Sequence, residues 1–308
     1  MNNIKTKFSI KDLENLSGIK AHTIRIWEKR YNLFQPNRTE TNIRFYSLSS
    51  LQKLLNITFL NRNGYKVSKI AQLQPNEIPN LVKQIAKEND TDNHSVDLFK
   101  ISMLNFDQTL FYSTFKELAK DQNLSNIFHN VFVPLLNQIG LLWQTDTITP
   151  AHEHFIFELI KQKVLVYTDI AIDNAEKVEN NKTFVLFLPD NEIHELGLLY
   201  VNYELTLRGY KSIYLGQSVP IDSLEYLTDH YNDIVFISSF TIKPEKEIID
   251  KYLEELSMKI LKDDNNLLLI SGRQTQHINL NLLNDKISVF NSTKEILESL
   301  NNYKQQVG

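Results

Sequence analysis

Residues 183–197 are TFVLFLPDNEIHELG, an apolar run followed by a polar loop. The run Thr183–Leu188 is short and rich in aromatic and branched side chains, which predicts a buried β-strand. Open α/β sheets bind ligands beyond the carboxyl ends of such strands, where His194 would lie. The carboxylate of Glu192 can hold one ring nitrogen and fix the tautomer. Gly197 permits close approach of backbone or ligand, so this loop is a candidate ligand site.

Around this stretch, the last third of the chain alternates short apolar runs with helical patterns. Strands separated by helices predict a parallel, doubly wound, Rossmann-like sheet, which we assign to residues 183–305. The five predicted strands are 184–188, 212–215, 234–238, 267–270 and 287–290.

The amino-acid composition limits the kinds of metal and disulfide site and the cellular compartment that the sequence allows. The 308 residues contain no cysteine, which excludes disulfides and cysteine-ligated metal sites and favours a reducing compartment. No apolar run approaches the ~18 residues of a membrane helix, and the polar N-terminus lacks a signal-peptide core. We expect a cytoplasmic protein that does not contact a membrane.

The net charge of −4 hides a strong asymmetry. Residues 1–75 hold 13 lysines and arginines against 4 acidic residues, a net charge of +9, and the remainder is net −13. Guanidinium groups bind phosphate in a planar fork, so this clustering indicates a nucleic-acid partner. Five of the seven arginines fall in this segment: Arg25, Arg30, Arg38, Arg44 and Arg62.

The basic segment has the pattern of a helix-turn-helix. Ser9 begins a short helix, Ser17–Ile19 is a turn, and a second helix over about 21–31 buries Ile24 and Trp27. Polar and basic residues on the opposite face are typical of a recognition helix. The predicted DNA-facing residues of this helix are His22, Thr23, Arg25, Lys29 and Arg30.

A wing follows this helix in the sequence. The runs Thr23–Tyr31, Pro36–Arg38 and Ile43–Tyr46 resemble the MerR family of transcription regulators, over roughly residues 1–75. The resemblance implies a winged helix-turn-helix domain in a dimer bound to double-stranded operator DNA. It also implies phosphate contacts from the wing, made by Arg38, Arg44 and Tyr46.

Between the two ends lie a polar segment and a helical one. Residues 76–95 are poorly periodic and predict a short helix plus a linker that lets the DNA-binding domain move. Residues 96–174 carry apolar side chains at helical spacing and predict a four-helix bundle. We therefore expect a multidomain chain of α and α/β class.

The sheet domain resembles cobalamin-binding domains. The resemblance rests on Glu192-x-His194-x-x-Gly197, on Tyr214–Gly216 and on Ser238–Phe240. It implies that His194 ligates cobalt, that Glu192 orients the ring, and that the cofactor's nucleotide tail enters the domain. The remaining implied cofactor-binding residues of this domain are Gly197, Gly216, Ser238 and Gly272.

The bundle resembles the cap of the light-sensing CarH/LitR regulators, through Trp143 and the pair Glu153-His154 ten residues on. The resemblance implies adenosylcobalamin, with the indole of Trp143 over the adenosyl group and Glu153 and His154 at its polar edge. It further implies a repressor that is a tetramer on DNA in the dark and is loosened by green or blue light.

Two residues depart from these patterns. Ser271 replaces the first glycine of a closing Gly-Gly pair, and Gln144 replaces a histidine that follows the cap tryptophan. Because of these two differences, an alternative remains: the chain is a cobalamin-independent regulator controlled by a protein partner or another ligand. A corrinoid carrier of a methyltransferase is a further alternative, against which the +9 segment argues. We find no nucleophile–base pair and predict that the chain is not an enzyme.

Overall fold

The structure is a computed structural model that describes residues 7–88, 91–145, 147–176, 178 and 182–304. The chain divides into two compact units, Met1–Ile160 and Lys161–Gly308. The predicted domain limits at residues 1 and 305 lie outside the described residues. Within the described part, no helix combines the length and apolar character needed to cross a membrane.

The N-terminal segment folds as a winged helix-turn-helix, as predicted. A complete capping box joins Ser9 and Asp12 at the first helix, and Gly18 ends that helix at φ 74°. A three-stranded antiparallel sheet in the order β1-β3-β2 forms the wing. The elements are β1 (Lys7–Phe8), α1 (Ile10–Ser17), α2 (Ala21–Tyr31), β2 (Asn37–Arg38), β3 (Arg44–Ser47), α3 (Leu48–Arg62) and α4 (Val67–Ile70).

The segment predicted as a linker, 76–95, is largely helical in the described residues. It contains α5 (Glu77–Glu88) and the start of α6 (Thr91–Asn105). Three buried side chains at helical spacing, Ile78, Val82 and Ile85, pack α5 against α3. The many polar residues around this narrow apolar stripe concealed it in the sequence, and the packing opposes the predicted mobility of the DNA-binding domain.

The bundle has four helical rods around an aromatic core. Phe99 packs against Phe111 and Phe132 at ring-centroid distances of 4.9 and 5.6 Å. The third rod passes through one π-helical turn at residues 128–132 just before Pro134, where an α-helical hydrogen bond would be lost. After α6 the elements are α7 (Gln108–Leu118), α8 (Leu124–Ile127), α9 (Val133–Gln144) and α10 (Pro150–Asn174).

The second unit is built on a five-stranded parallel sheet in the order β5-β4-β6-β7-β8, which confirms the predicted doubly wound fold. Every residue of β4, an interior strand of this sheet, is buried. Helices pack on both faces of the sheet. The elements are β4 (Thr183–Phe187), α11 (Leu196–Leu207), β5 (Ser212–Gly216), α12 (Ile221–Thr228), β6 (Ile234–Ser239), α13 (Ile249–Ile260), β7 (Leu267–Ser271), β8 (Ile287–Val289) and α14 (Thr293–Lys304).

The strand order places a crevice at the carboxyl ends of β4 and β6. The chain leaves β4 towards β5 on one side and later returns to β6 on the other, so the connections diverge between these two strands. Such a switch point is where doubly wound sheets bind ligands. The loops 188–195 and 240–243 meet there, and the first contains the histidine singled out in the sequence.

Candidate functional site

His194 lies in the loop between β4 and α11, and Glu192 holds its ring. The Nδ1 of His194 is 2.5 Å from Oε1 of Glu192. At that distance Nδ1 must carry the proton and donate to the carboxylate, so the lone pair belongs to Nε2 on the opposite side of the ring. The ring is about one-third exposed, while Glu192 is fully buried. A metal ion approaching Nε2 would meet a histidine of set tautomer and orientation.

The second oxygen of Glu192 binds the loop on the other side of the switch point. Its Oε2 accepts hydrogen bonds from three consecutive backbone amides after β6, those of Thr241, Ile242 and Lys243, at 3.1, 2.6 and 2.9 Å. One carboxylate therefore joins the histidine loop to the neighbouring loop. No motif indicates these three donors, because backbone amides 49 to 51 residues away from Glu192 have no residue pattern.

The charge of Glu192 is stabilised inside the protein. Burial by itself would raise the pKa of this carboxyl, but the hydrogen bonds from the His194 side chain and from the amides of Lys243, Ile242 and His194 lower it to about 2. A fully buried carboxylate needs such a set of donors to remain ionised. Glu192 is thus a fixed anion rather than a proton carrier at neutral pH.

These residues fit a cobalamin. The implied cofactor requires a lower axial ligand with a directed lone pair, and the Glu192–His194 pair provides it. It also requires room beside the loop. A Cβ at Gly197 would only make ordinary contact, 3.5 Å, with Thr293, so packing within this unit does not explain the glycine. The donor set and the glycine are both consistent with a ligand at this loop.

Ser238, Gly216 and Gly272 have internal roles in this structure. The hydroxyl of Ser238 is buried and donates to the carbonyl of Phe187 at 2.8 Å, so it ties β6 to β4. Gly216 has φ 80° where β5 ends, and Gly272 has φ 112° after β7. Because the hydroxyl oxygen of Ser238 can still accept hydrogen bonds, its predicted place in a tail channel stays a prediction. Ligand contacts of the two glycines remain predictions.

We expect Gly272→Ala to destabilise the sheet unit by more than about 2 kcal/mol, since a Cβ there would lie 2.4 Å from the carbonyl oxygen of Phe240 at a left-handed φ. Urea unfolding measures the effect. Gly140→Ala is the matched control: nothing lies within 4 Å of its Cβ position in α9, so stability should stay equal or rise by about 0.5–1 kcal/mol. Equal stability of the Gly272 variant and the parent would contradict the strain.

Glu195 is a site residue that the sequence analysis did not single out. It follows His194 directly and accepts from Lys161, Tyr214 and Gln217 at 2.5, 2.9 and 2.7 Å. A second carboxylate beside the motif histidine was the only available signal, and it is a weak one because glutamate is common at helix starts. Its contacts come from three separate segments of the unit.

The recognition helix α2 presents the face that was predicted. Ile24 and Trp27 are buried, while four basic or polar residues are exposed and Thr23 is half-buried. The hydroxyl of Thr23 lies 3.3 Å from Nε2 of His22. This polar, cationic face suits insertion into a major groove. The four exposed residues are His22, Arg25, Lys29 and Arg30.

The wing brings two arginines together and removes the tyrosine from the surface. Arg38 and Arg44 are directly opposite each other across β2 and β3, and both are exposed. Adjacent like charges repel unless an anion lies between them. Tyr46 is fully buried and donates to Glu28 at 2.8 Å, while Arg44 pairs with the same carboxylate at 3.4 Å. The predicted phosphate contact of Tyr46 is therefore wrong, because its hydroxyl holds α2 to the wing.

The cap residues lie at two helix ends of the bundle. Trp143, near the end of α9, is 52% exposed, an unusual state for an indole. Glu153 is half-buried and His154 exposed in the first turns of α10. His152 instead is buried, contacts Thr149 at 2.8 Å and stacks on Phe106. The side chain of Gln144 lies outside the described part of the structure.

Two family models match the chain. A model described as a MerR HTH family regulatory protein matches residues 8–77, and a model of a B12 binding domain matches residues 96–167. These segments correspond to the winged helix-turn-helix and to the bundle. The matches confirm both resemblances and give the bundle its identity as part of a cobalamin-binding module.

Two transcriptional repressors and one corrinoid protein are similar to this chain. The chain is 27% identical over 216 residues to the HTH-type transcriptional repressor CarH of Myxococcus xanthus, covering 68% of this chain and 70% of that one. It is 23% identical over 219 residues to the repressor CarA of the same organism, covering 70% of each. The monomethylamine corrinoid protein of Methanosarcina barkeri shares the fold over 68% of this chain and 98% of its own, with 13% identity and a TM-score of 0.54. The chain therefore carries a MerR-type helix-turn-helix segment followed by a B12-binding segment, the arrangement of a MerR-type regulator with a cobalamin-binding domain.

Proposed function

We propose that the chain is a transcriptional repressor that binds adenosylcobalamin, responds to light, and assembles on its operator in a cofactor-dependent way. The observation that carries the proposal is the Glu192–His194 pair at the switch point of a sheet, in a chain with a basic winged helix-turn-helix. The similarity to two repressors supports the direction of regulation. Family resemblance supports adenosyl as the upper ligand and light as the signal.

Each group of residues has a separate task. His194 would hold the cobalt ion through Nε2, and Glu192 would keep the ring in place. When bound, adenosylcobalamin supplies a cobalt–carbon bond that visible light cleaves. Trp143, Glu153 and His154 are the contacts of the upper ligand, which suits the exposed indole and imidazole. Gly197, Gly216, Ser238 and Gly272 complete the predicted set on the sheet side.

The regulatory logic is a difference in affinity. A cofactor shifts an assembly equilibrium only when it binds one state better than the other. Operator binding through two or more DNA-binding domains gains from effective concentration, so loss of assembly weakens DNA binding without altering any base contact. A dimer or tetramer of this chain on a two-fold operator is the proposed active form, and residues 1–75, 96–174 and 183–305 are its proposed domains.

The deciding experiment is an absorbance titration of the protein with adenosylcobalamin, before and after green or blue light. Size-exclusion chromatography and operator binding are measured on the same samples. We expect a bound red species in the dark, a spectral change on illumination, and smaller assemblies with weaker DNA binding afterwards. A protein that stays colourless would instead support the cobalamin-independent regulator, which Ser271 and Gln144 keep open as a second candidate.

Arg25→Ala should weaken operator binding by about 1–3 kcal/mol, both with and without cofactor, because Arg25 is exposed on α2 and acts at the DNA. Fluorescence anisotropy with labelled operator at several salt concentrations measures it. Lys120→Ala is the charge-matched control, since Lys120 is 57% exposed in the bundle and pairs only locally with Glu117. A defect restricted to one cofactor state would contradict a direct contact of Arg25.

A further inference from the structure

Glu195 connects three segments of the second unit next to the proposed cobalt ligand. Its Oε1 accepts from Nζ of Lys161 at 2.5 Å and from Gln217 at 2.7 Å, and its Oε2 accepts from the hydroxyl of Tyr214 at 2.9 Å. Lys161 belongs to α10, Tyr214 to β5, and Gln217 to the turn after β5. The side chain of Glu195 is only 11% exposed.

This ion pair differs from the surface pairs of the same unit. Lys262 and Glu225 also lie 2.5 Å apart, but their side chains are 57% and 36% exposed, and such pairs contribute about 0–1 kcal/mol. The side chain of Glu195 is 11% exposed and that of Lys161 31%, and two neutral donors assist the lysine. Charge-assisted hydrogen bonds in such surroundings are stronger and restrict geometry more. The position of Glu195 therefore depends on the position of Lys161.

Glu195 lies next to the proposed cobalt ligand in the sequence, and Lys161 lies in the long helix α10. Glu195 is bonded to His194 on one side and to the first residue of α11 on the other. Lys161 lies in the middle of α10, a single 25-residue helix that begins in the first unit, at the proposed cap residues, and continues into the second. Within the second unit, this contact joins the residue that follows His194 to α10.

We propose that the Lys161–Glu195 ion pair couples the cobalt-binding loop to helix α10 and so transmits the cofactor state to DNA binding. Lys161 is a positioning residue that does not touch the cofactor. The inference rests on the proposed function, because the signal that the ion pair transmits is the binding of the cofactor. The contact itself, however, is a property of the protein without cofactor and can be measured there.

The test compares Lys161→Met, which removes the charge and keeps an apolar stem, with Lys161→Arg, which keeps the charge. Lys262→Met is the matched control. We expect Lys161→Met to bind adenosylcobalamin within about threefold of the parent, as absorbance titration measures. The ratio of operator affinities with and without cofactor should fall by about fivefold or more, the lower end of typical allosteric coupling. Lys161→Arg and Lys262→Met should keep the parent's ratio.

Hydrogen exchange of the cofactor-free protein tests the Lys161–Glu195 contact independently of cofactor binding. In Lys161→Met the amides of 193–199 should exchange faster, since the loop loses one of its anchors, while Lys262→Met leaves them unchanged. Parent-like exchange in Lys161→Met overturns the inference, as does a parent-like ratio of operator affinities. Failure of the parent to take up any cobalamin would refute the proposed function instead, and the exchange comparison would still decide whether Lys161 holds the loop.

Discussion

His194→Ala is expected to lower the affinity for adenosylcobalamin by more than about 100-fold, because loss of a ligand should exceed the 10–100-fold that loss of a ligand's hydrogen-bond partner costs. The imidazole is the only group in the motif that can direct a nitrogen lone pair at cobalt, and Glu192 already holds it in the required tautomer. Absorbance titration in the dark measures the affinity. Size-exclusion chromatography should then give the same elution with and without the cofactor.

The control for this prediction is His230→Ala. His230 is an exposed histidine of the same unit that contacts the carbonyl of Tyr226 and lies outside the proposed site. It should take up cobalamin like the parent. The operator affinity of His194→Ala should match that of the cofactor-free parent, since the DNA-binding residues are unchanged. A parent-like affinity and spectrum in His194→Ala would refute the ligand assignment.

Glu192→Gln is expected to destabilise the second unit by about 3 kcal/mol, the typical cost of breaking a buried, hydrogen-bonded charge. The carboxylate accepts six hydrogen bonds, three of them across the switch point. An amide has one oxygen, and its NH₂ group would face either His194 or the three amides of 241–243. Urea unfolding followed by circular dichroism measures the loss, and the 241–243 amides should exchange faster with solvent.

Acid should remove the difference between Glu192→Gln and the parent. The folded-state pKa of Glu192, about 2, lies below the ordinary value of 4.5, so the folded protein binds this proton less readily than the unfolded chain. The stabilisation is therefore complete above about pH 4.5 and is lost as the pH falls towards 2. Glu225→Gln, at an exposed ion pair, serves as the control and should change stability little at any pH. A pH-independent gap between Glu192→Gln and the parent would contradict the buried-anion role.

His194→Ala and Glu192→Gln separate two jobs of one loop. His194→Ala removes the ligand but leaves Glu192 bound to the amides of 241–243, so these amides should stay protected from exchange. Glu192→Gln disturbs both the ring and the neighbouring loop. If the exchange patterns of the two variants were the same, Glu192 would act only through His194.

Much of the architecture was predictable from local pattern. Short apolar runs separated by helical segments predicted the strands of the parallel sheet, because period and length are properties of a few neighbouring residues. Local pattern also predicts a helix near residues 275–283, and this prediction is wrong. Two short 3₁₀ turns, Arg273–His277 and Leu280–Leu282, occupy that segment. In this segment Ile278 is buried, but Leu280 and Leu282 are more than 60% exposed, so the segment buries little of the apolar surface that would stabilise a full helix.

Prediction from local pattern failed where a side chain contacts a residue in another element. Tyr46 has the sequence setting of an exposed wing residue, yet its ring is buried and its hydroxyl bonds to Glu28 in α2. Ile78, Val82 and Ile85 form a stripe that matters only because α3 lies against it. In both cases the deciding contact joins two elements that have another element between them in the sequence, and periodicity carries no information about such a contact.

The amino-acid sequence alone determined the three-part character of this protein: a basic helix-turn-helix, a helical bundle, and a parallel sheet with a histidine loop after its first strand. These follow from charge, spacing and apolar period, which are local. Only the tertiary structure decided how that loop is held, with Glu192 on the amides of 241–243 and Glu195 on Lys161. Those contacts depend on strand order and helix placement, which bring groups together across 34 to 51 residues of chain.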